Sequence, residues 1–256
     1  MAEREYLRGI LSKMDGRMAV LYFTGRNHAG ENIDDLLQKR LQGLGPPQLM
    51  CDALSRNIPK ALKVILSNCL THGRRNFVDI IDAFPDECQH VIEVLADVYH
   101  NDDLAKGKSM SPLERLAFHQ AESKPLMDDL YTWFRQELDE KKVEPNSGLG
   151  KAIAYMMKHW APLTRFLEIP GAPLDNNICE RALKKSIIHR KNSLFCKTQN
   201  GADVGDMFMS LIQTCNMAHE NPFHYLVALQ KNACEVAENP AKWLPWNFRQ
   251  STPTPN

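Results

Sequence analysis

The chain has 256 residues, of which 43% are hydrophobic, and its 31 basic and 31 acidic side chains give a formal net charge of zero. This composition predicts a globular protein with a real core, and it argues against a uniformly basic nucleic-acid-binding chain while leaving local patches open. There is no apolar run of about 18 residues and no apolar signal segment in the N-terminal MAEREYLRGILSK, so we expect a cytoplasmic protein with no membrane partner. The seven cysteines are scattered and odd in number, which does not predict a disulfide framework.

The N-terminal part of the chain predicts a sheet. Residues 6–24 are typical of two strands joined at Asp15-Gly16, because this dipeptide suits the positive φ angles of a tight hairpin turn. Apolar residues at helical spacing then predict a helix over residues 31–44.

Two short apolar runs follow this helix. The first ends at Asp52, where a parallel or mixed sheet presents side chains to a crevice, so Asp52 is a candidate ligand. The structural alternative is that Asp52 caps the following turn or helix. The second run, residues 64–70, is either a strand or a buried helix, and the helix after it carries Arg74 and Arg75 as candidate phosphate contacts.

The middle and the end of the chain predict helices. Helical spacing extends over residues 86–142 with a break around residues 109–112, and residues 143–150 form a polar loop. One long amphipathic helix is predicted over residues 153–167, and an apolar stripe predicts another over residues 204–215. Before these helices, the CLTH sequence resembles half of a zinc site, but no second Cys/His pair follows at usable spacing.

Residues 173–195, PLDNNICERALKKSIIHRKNSLF, combine acids with a basic run. Asp175 or an adjacent Asn is a suitable N-cap, which places Glu180 near the positive start of a helix. Six Lys/Arg and one His follow without any acid: Arg181, Lys184, Lys185, His189, Arg190, Lys191 and Lys197. This block predicts an anionic partner such as a phosphate backbone, unless it is a solvated face on which Glu180 and Lys184 form an ordinary ion pair.

Asp52 and Glu180 together suit metal chemistry. Carboxylates, phosphate oxygens and waters hold Mg²⁺, and a pair of such ions can stabilise the attacking and leaving oxygens of a phosphoryl transfer. The basic residues after Glu180 would then hold a nucleic-acid backbone without reading its sequence.

Several segments together resemble a transposase of the insertion-sequence-sixty-six family. They are FTGRNHAGENIDDLL (23–37), LMCDALSRN (49–57), NCLTHGRRNF (68–77), SGLGKAIAYMMKHWAPLTRFLE (147–168), the segment 173–195, PFHYL and LPWNF. The most specific is DNN-x-x-ER-A-L followed by R-K-N, and the resemblance covers nearly the whole chain.

The resemblance implies a DNA transposase with an Asp, Asp, Glu triad on a ribonuclease H-like core. Asp52 would be the second acid and Glu180 the third, with Mg²⁺ or Mn²⁺ as cofactor. The implied partners are the DNA ends of the insertion sequence, its target DNA, and a second copy or an intact transposase. The first Asp lies in the family upstream of the strand that begins near Tyr6, so we expect a C-terminal portion that lacks the first catalytic Asp.

The predicted fold is therefore α/β: an incomplete ribonuclease H-like core with a large all-α insertion and a helical C-terminus. The core would occupy residues 1–85 and return, with the last acid and the basic block, over residues 146–200. The helical insertion would be residues 86–145, and the C-terminal region residues 201–256.

Three functions are compatible with the sequence. The chain is part of a transposase that cleaves and transfers DNA strands with a metal ion, or it is an inactive product that binds DNA or inhibits an intact transposase. With the family set aside, it is a helical interaction module whose basic block is a solvated face.

Overall fold

A computed structural model describes residues 6–41, 43–192 and 198–251. In chain order its elements are β1 (Tyr6–Met14), β2 (Arg17–Gly25), α1 (Ala29–Gln38), β3 (Gln48–Cys51), β4 (Ile65–Asn68), α2 (Leu70–Val78), α3 (Pro85–Gly107), α4 (Pro112–Glu122), α5 (Lys124–Asp139), α6 (Gly148–Lys158), α7 (Trp160–Leu163), α8 (Asn177–Asn192), α9 (Gln199–Met217), α10 (Pro222–Lys231), α11 (Ala233–Glu238) and α12 (Phe248–Ser251). Short 3-10 helices lie at Ser55–Asn57, Arg165–Leu167 and Pro240–Trp243. The protein is thus a mixed α/β protein in which helices predominate. None of the helices described is both long enough and apolar enough to cross a bilayer.

The chain forms two units, each containing one pair of strands. The first unit contains the described chain up to Gln38 and from Asn177 onward, with β1, β2, α1 and α8 to α12. The second unit is Lys39–Asn176, with β3, β4 and α2 to α7. The division into four segments that the sequence suggested stays a prediction.

The predicted hairpin is present in the first unit. β1 and β2 pair antiparallel, with Met14 opposite Arg17. Asp15 and Gly16 form the turn with φ angles of 50° and 76°. Two successive positive φ angles match the right-handed twist of the strands, which explains why Asp-Gly occupies this turn.

The polar face of α9 covers the edge of β2 that faces away from β1. Three side chains of α9 accept hydrogen bonds from alternate backbone N–H groups of the strand: Thr214 from Val20 at 3.1 Å, Ser210 from Tyr22 at 2.9 Å, and Asp206 from Thr24. Two strand residues span about 6.6 Å and four helix residues about 6 Å, so every second residue of β2 lies beside every fourth residue of α9.

The apolar stripe predicted over residues 204–215 is real, but part of it faces outward. Val204, Met207 and Phe208 are 44%, 51% and 39% exposed, whereas Ser210 and Thr214 on the polar face are buried. The helix predicted over these residues is thus present as part of α9, and its polar face is buried because the unpaired edge of β2 needs hydrogen-bond acceptors.

In the second unit, β3 and β4 run parallel with Cys51 opposite Asn68. Residues 64–70, which the sequence predicted as either a strand or a buried helix, contain the strand β4, and α2 begins shortly after it at Leu70. The Nε of Arg165 donates to the carbonyl oxygen of Leu66 at 3.3 Å. The N–H of Ile65, the residue before Leu66, donates to the Pro47 carbonyl beside β3. Because the backbone groups of successive strand residues point to opposite edges, the Leu66 carbonyl faces away from β3. Arg165 therefore contacts the outer edge of β4.

Helices α2 to α7 enclose the main core. Its fully buried side chains include Leu70, Phe77, Val91, Leu95, Leu130, Phe134, Ile153 and Met156. The break predicted around residues 109–112 separates α3 from α4, and Ser111 forms a capping box with Glu114. The single helix predicted over residues 153–167 is wrong: α6 ends at Lys158. Pro162 has no N–H to donate to the Lys158 carbonyl, which explains the break.

A buried charged cluster joins α3, α4 and the start of α5. Asp102, which is 2% exposed, accepts hydrogen bonds from Arg115 Nε at 2.8 Å and Nη2 at 2.6 Å, and from Lys106 Nζ at 2.6 Å. His119 bridges Asp102 at 3.2 Å through Nε2 and Ser123 Oγ at 2.9 Å through Nδ1. Because His119 and Ser123 are also buried, this Asp–His–Ser chain serves to hold helices together and is closed to substrates.

Candidate functional site

Asp52 directly follows β3 at the carboxyl end of the parallel strand pair, as the sequence predicted. Its side chain is partly exposed, and its Oδ1 accepts a hydrogen bond from Nδ2 of Asn57. The N-cap residue of the 3-10 helix Ser55–Asn57 is Leu54, with no side-chain cap hydrogen bond. The alternative in which Asp52 caps this turn is therefore wrong, and one of its carboxylate oxygens is held by a neutral donor.

Asp52 influences the pKa of neighbouring side chains. Burial, with contributions from Asp52 and Cys69, raises the pKa of Cys51 to about 12. Burial and the charge of Asp52 also raise the pKa of Tyr155 on α6. Burial raises the pKa of Cys69, although hydrogen bonds from Asn176 and other groups oppose the rise.

Cys69 and His72 lie at the start of α2 in the second unit. Cys69 is fully buried, and its Sγ accepts the backbone N–H of Asn176 at 3.4 Å. Zinc binds the thiolate form, so a buried thiol with a raised pKa is a poor zinc ligand by itself.

The two predicted phosphate contacts on α2 differ in exposure. Arg75 is exposed, and Arg74 is partly exposed. Burial raises the pKa of Tyr99, and the charge of Arg74 opposes that rise. That hydroxyl shares a hydrogen bond of 2.8 Å with Thr71 on α2.

Glu180 lies in the first turn of α8, as predicted, and its side chain is partly exposed. The hairpin fixes this part of the helix. Tyr22 donates its hydroxyl hydrogen to the Ala182 carbonyl at 2.6 Å. Leu183 packs over Gly9 of the strand, where a Cβ on Gly9 would lie 3.4 Å from Leu183 Cδ1. Glu180 therefore projects from a helix turn anchored on the sheet.

The basic block lies mostly on the solvent side of α8. Its exposed members are Arg181, Lys184, Lys185, His189 and Lys191. Arg190 is partly buried and lies near Asp206, whose pKa is raised by burial and lowered by Arg190 and by hydrogen bonds from Thr24. Lys197 and the Ser-Leu-Phe that ends the predicted motif lie outside the described residues.

The two predicted acids offer the ligands that Mg²⁺ or Mn²⁺ prefers. Each is a partly exposed carboxylate. In Asp52, Asn57 engages Oδ1, and Oδ2 is the second possible ligand oxygen. Asp52 and Glu180 belong to different units. Their oxygen ligands suit a hard cation.

The comparisons with known proteins identify a family of transposases. The profile described as "Transposase IS66 family" matches residues 3–204. This chain therefore belongs to the IS66 transposase family.

Relatives of the chain occur in Sinorhizobium fredii (strain NBRC 101917 / NGR234). The uncharacterized protein y4jD is 30% identical over 189 residues, which cover 72% of this chain and 36% of that protein. The uncharacterized protein y4hP is 27% identical over 270 residues, which cover 91% of this chain and 44% of that protein. The chain thus spans less than half the length of these relatives. No solved structure is significantly similar to the chain.

Asn57 and Tyr155 contribute to the surroundings of Asp52 but were not predicted from the sequence. Asn57 lies five residues after Asp52 in the LMCDALSRN segment, so a turn between them can bring its polar side chain back to Asp52. Tyr155 is about 100 residues away in the sequence, and only the packing of α6 brings it close.

Proposed function

We propose that this chain contributes Asp52 and Glu180 to the metal site of a DNA transposase. The observation that carries this proposal is the position of Asp52 in a chain of the IS66 family: it directly follows a parallel strand, and its Oδ1 is held by Asn57. A bound Mg²⁺ or Mn²⁺ would stabilise the attacking and leaving oxygens when a DNA strand is cleaved and transferred. The carboxylates of Asp52 and Glu180 would hold and orient the ion.

The proposal includes a ribonuclease H-like core. β1 and β2 would be its antiparallel strands, and β3 and β4 two of its parallel strands. The family resemblance implies one further strand with an Asp. The two acids of this chain would act together with that Asp.

The exposed basic side chains of α8 would hold the DNA backbone beside Glu180. Each Lys that contacts a phosphate releases a counterion, so binding should weaken steeply with salt and depend little on sequence. Arg75 and Arg74 on α2 would add contacts from the second unit.

A charge-matched pair of double variants tests the DNA contact. In fluorescence anisotropy with a labelled duplex, Lys184→Ala with Lys185→Ala should weaken binding at low salt and reduce the slope of log K against log salt by about 2. Lys13→Ala with Lys231→Ala removes the same charge from two exposed positions of the same unit and should change neither quantity. Equal losses in both pairs, or no binding by the wild type, would support a helical interaction module in place of a DNA-binding protein.

A chimera tests the catalytic part of the proposal. The matching segment of y4jD is replaced by this chain, and strand cleavage and transfer are measured with Mg²⁺ or Mn²⁺ on DNA ends of its element. We expect activity that Asp52→Asn or Glu180→Gln abolishes. Full activity of either variant would refute the proposed role of that acid, and robust strand transfer by this chain alone would refute the need for a further Asp.

The second candidate function is inhibition of an intact transposase. It is favoured by the exposed basic side chains of α8, which could occupy DNA without cleaving it. Added in excess to an active relative, the chain should then reduce transposition, and the Lys184→Ala, Lys185→Ala variant should inhibit less.

A further inference from the structure

Asn57 contacts Asp52 in a way that the turn between them does not require. The 3-10 helix Ser55–Asn57 is closed by backbone bonds, from Asn57 N–H to the Leu54 carbonyl at 2.9 Å and from Ile58 N–H to the Ser55 carbonyl at 3.2 Å. The side chain of Asn57 takes no part in either bond. Its amide instead donates to Oδ1 of Asp52.

This contact gives the carboxylate a direction. A carboxylate has two oxygens and about four acceptor positions, and without a partner it rotates about its terminal bond. With Oδ1 engaged by Asn57, Oδ2 is the oxygen left for a ligand. The amide is uncharged, so it orients Asp52 without cancelling the negative charge that attracts a cation.

We propose that Asn57 is a positioning residue for Asp52, holding Oδ1 so that Oδ2 is presented to the divalent cation. This inference rests on the proposed function, because it takes Asp52 to be a metal ligand. Groups that hydrogen-bond to metal ligands fix their orientation, and their loss typically lowers metal affinity 10- to 100-fold.

The test is a double-mutant cycle on Mn²⁺ affinity, with free Mn²⁺ measured by electron paramagnetic resonance for the full chain. Asn57→Ala should weaken Mn²⁺ binding about 10-fold, and Asn57→Gln, which keeps an amide donor, should restore part of it. In the Asp52→Asn background the further change Asn57→Ala should have no effect. Asn146→Ala, at an exposed loop position of the same unit, is the matched control and should bind as the wild type does.

Urea unfolding separates positioning from folding, since Asn57→Ala should unfold at nearly the same midpoint as Asn146→Ala. If Asp52→Asn lowers Mn²⁺ affinity but Asn57→Ala does not, this inference is overturned and the proposed role of Asp52 stands. The inference is also overturned if the loss caused by Asn57→Ala persists in the Asp52→Asn background. Equal Mn²⁺ binding by the wild type and Asp52→Asn would overturn the metal role of Asp52 and this inference with it.

Discussion

Replacing Asp102 by Asn should destabilise the helical core of the second unit. Asp102 is almost fully buried, and the substitution removes the charge that balances Arg115, whose side chain is 18% exposed. Removing one partner of a buried ion pair typically costs about 3 to 5 kcal/mol. Lys106 is 61% exposed and contributes little, and Arg115 retains some water, so we expect a loss near 3 kcal/mol.

The assay is urea unfolding followed by far-ultraviolet circular dichroism, with Asp103→Asn as the matched control. Asp103 is the next residue, its side chain is 76% exposed, and it lies 3.7 Å from the same Lys106. Its substitution should change the free energy of unfolding by less than about 0.5 kcal/mol. If Asp102→Asn is no more destabilising than Asp103→Asn, the assignment of Asp102 as the charge that holds α3 to α4 is refuted.

The stability difference between the wild type and Asp102→Asn should depend on pH. Burial alone would raise the pKa of Asp102, but hydrogen bonds from His119 and Lys106 and the charge of Arg115 lower it well below its usual range. A lowered folded-state pKa contributes stability above the unfolded pKa of about 3.9, and this stability is lost as the pH falls through the folded-state pKa. The difference between the wild type and Asp102→Asn should thus shrink below about pH 4.

Two further substitutions test the packing on which the site depends. Thr214→Val keeps the shape but removes the acceptor of the buried Val20 N–H, so it should cost about 1 to 3 kcal/mol in urea unfolding, while Thr214→Ser should cost less. Gly150→Ala should destabilise by more than about 2 kcal/mol, because its Cβ would collide with the Glu144 carbonyl oxygen. Gly107→Ala, which meets no atom within 4 Å, should be neutral or stabilising. Equal stabilities within either pair would contradict the corresponding contact.

Local chemistry explains why much of the fold was predictable. The Asp15-Gly16 turn determines where the hairpin reverses, since few dipeptides tolerate two positive φ angles. The position of Asp52 after a strand followed from a short apolar run ending on an acid. Both predictions depend on residues close together in the sequence, where propensity and hydrophobic pattern act directly.

The features that the sequence did not predict depend on contacts that its local pattern does not reveal. The outward face of α9 could not be read from its own sequence, because the partner that selects the polar face is the edge of β2, almost 190 residues away. The hydrogen bond from Asn57 to Asp52 depends on the path of a 3-10 helix, which hydrophobic periodicity does not reveal. The break after Lys158 was the exception, since Pro162 was visible in the sequence and outweighs the apolar spacing around it.

The hydrogen bonds at the strand edges restrict where a further strand can join. In the first unit α9 occupies the outer N–H groups of β2, and the thiol of Cys179 on α8 donates to the outward Gly9 carbonyl of β1 at 3.5 Å, so a strand added beside β1 would have to displace that contact. In the second unit Arg165 donates to the outward Leu66 carbonyl of β4, which favours pairing of an added strand with β3, the strand that precedes Asp52. Among the described residues no third strand occupies either position. A strand that brings an Asp to β3 would therefore place that acid on the strand next to the one that ends at Asp52, as the proposed metal site requires.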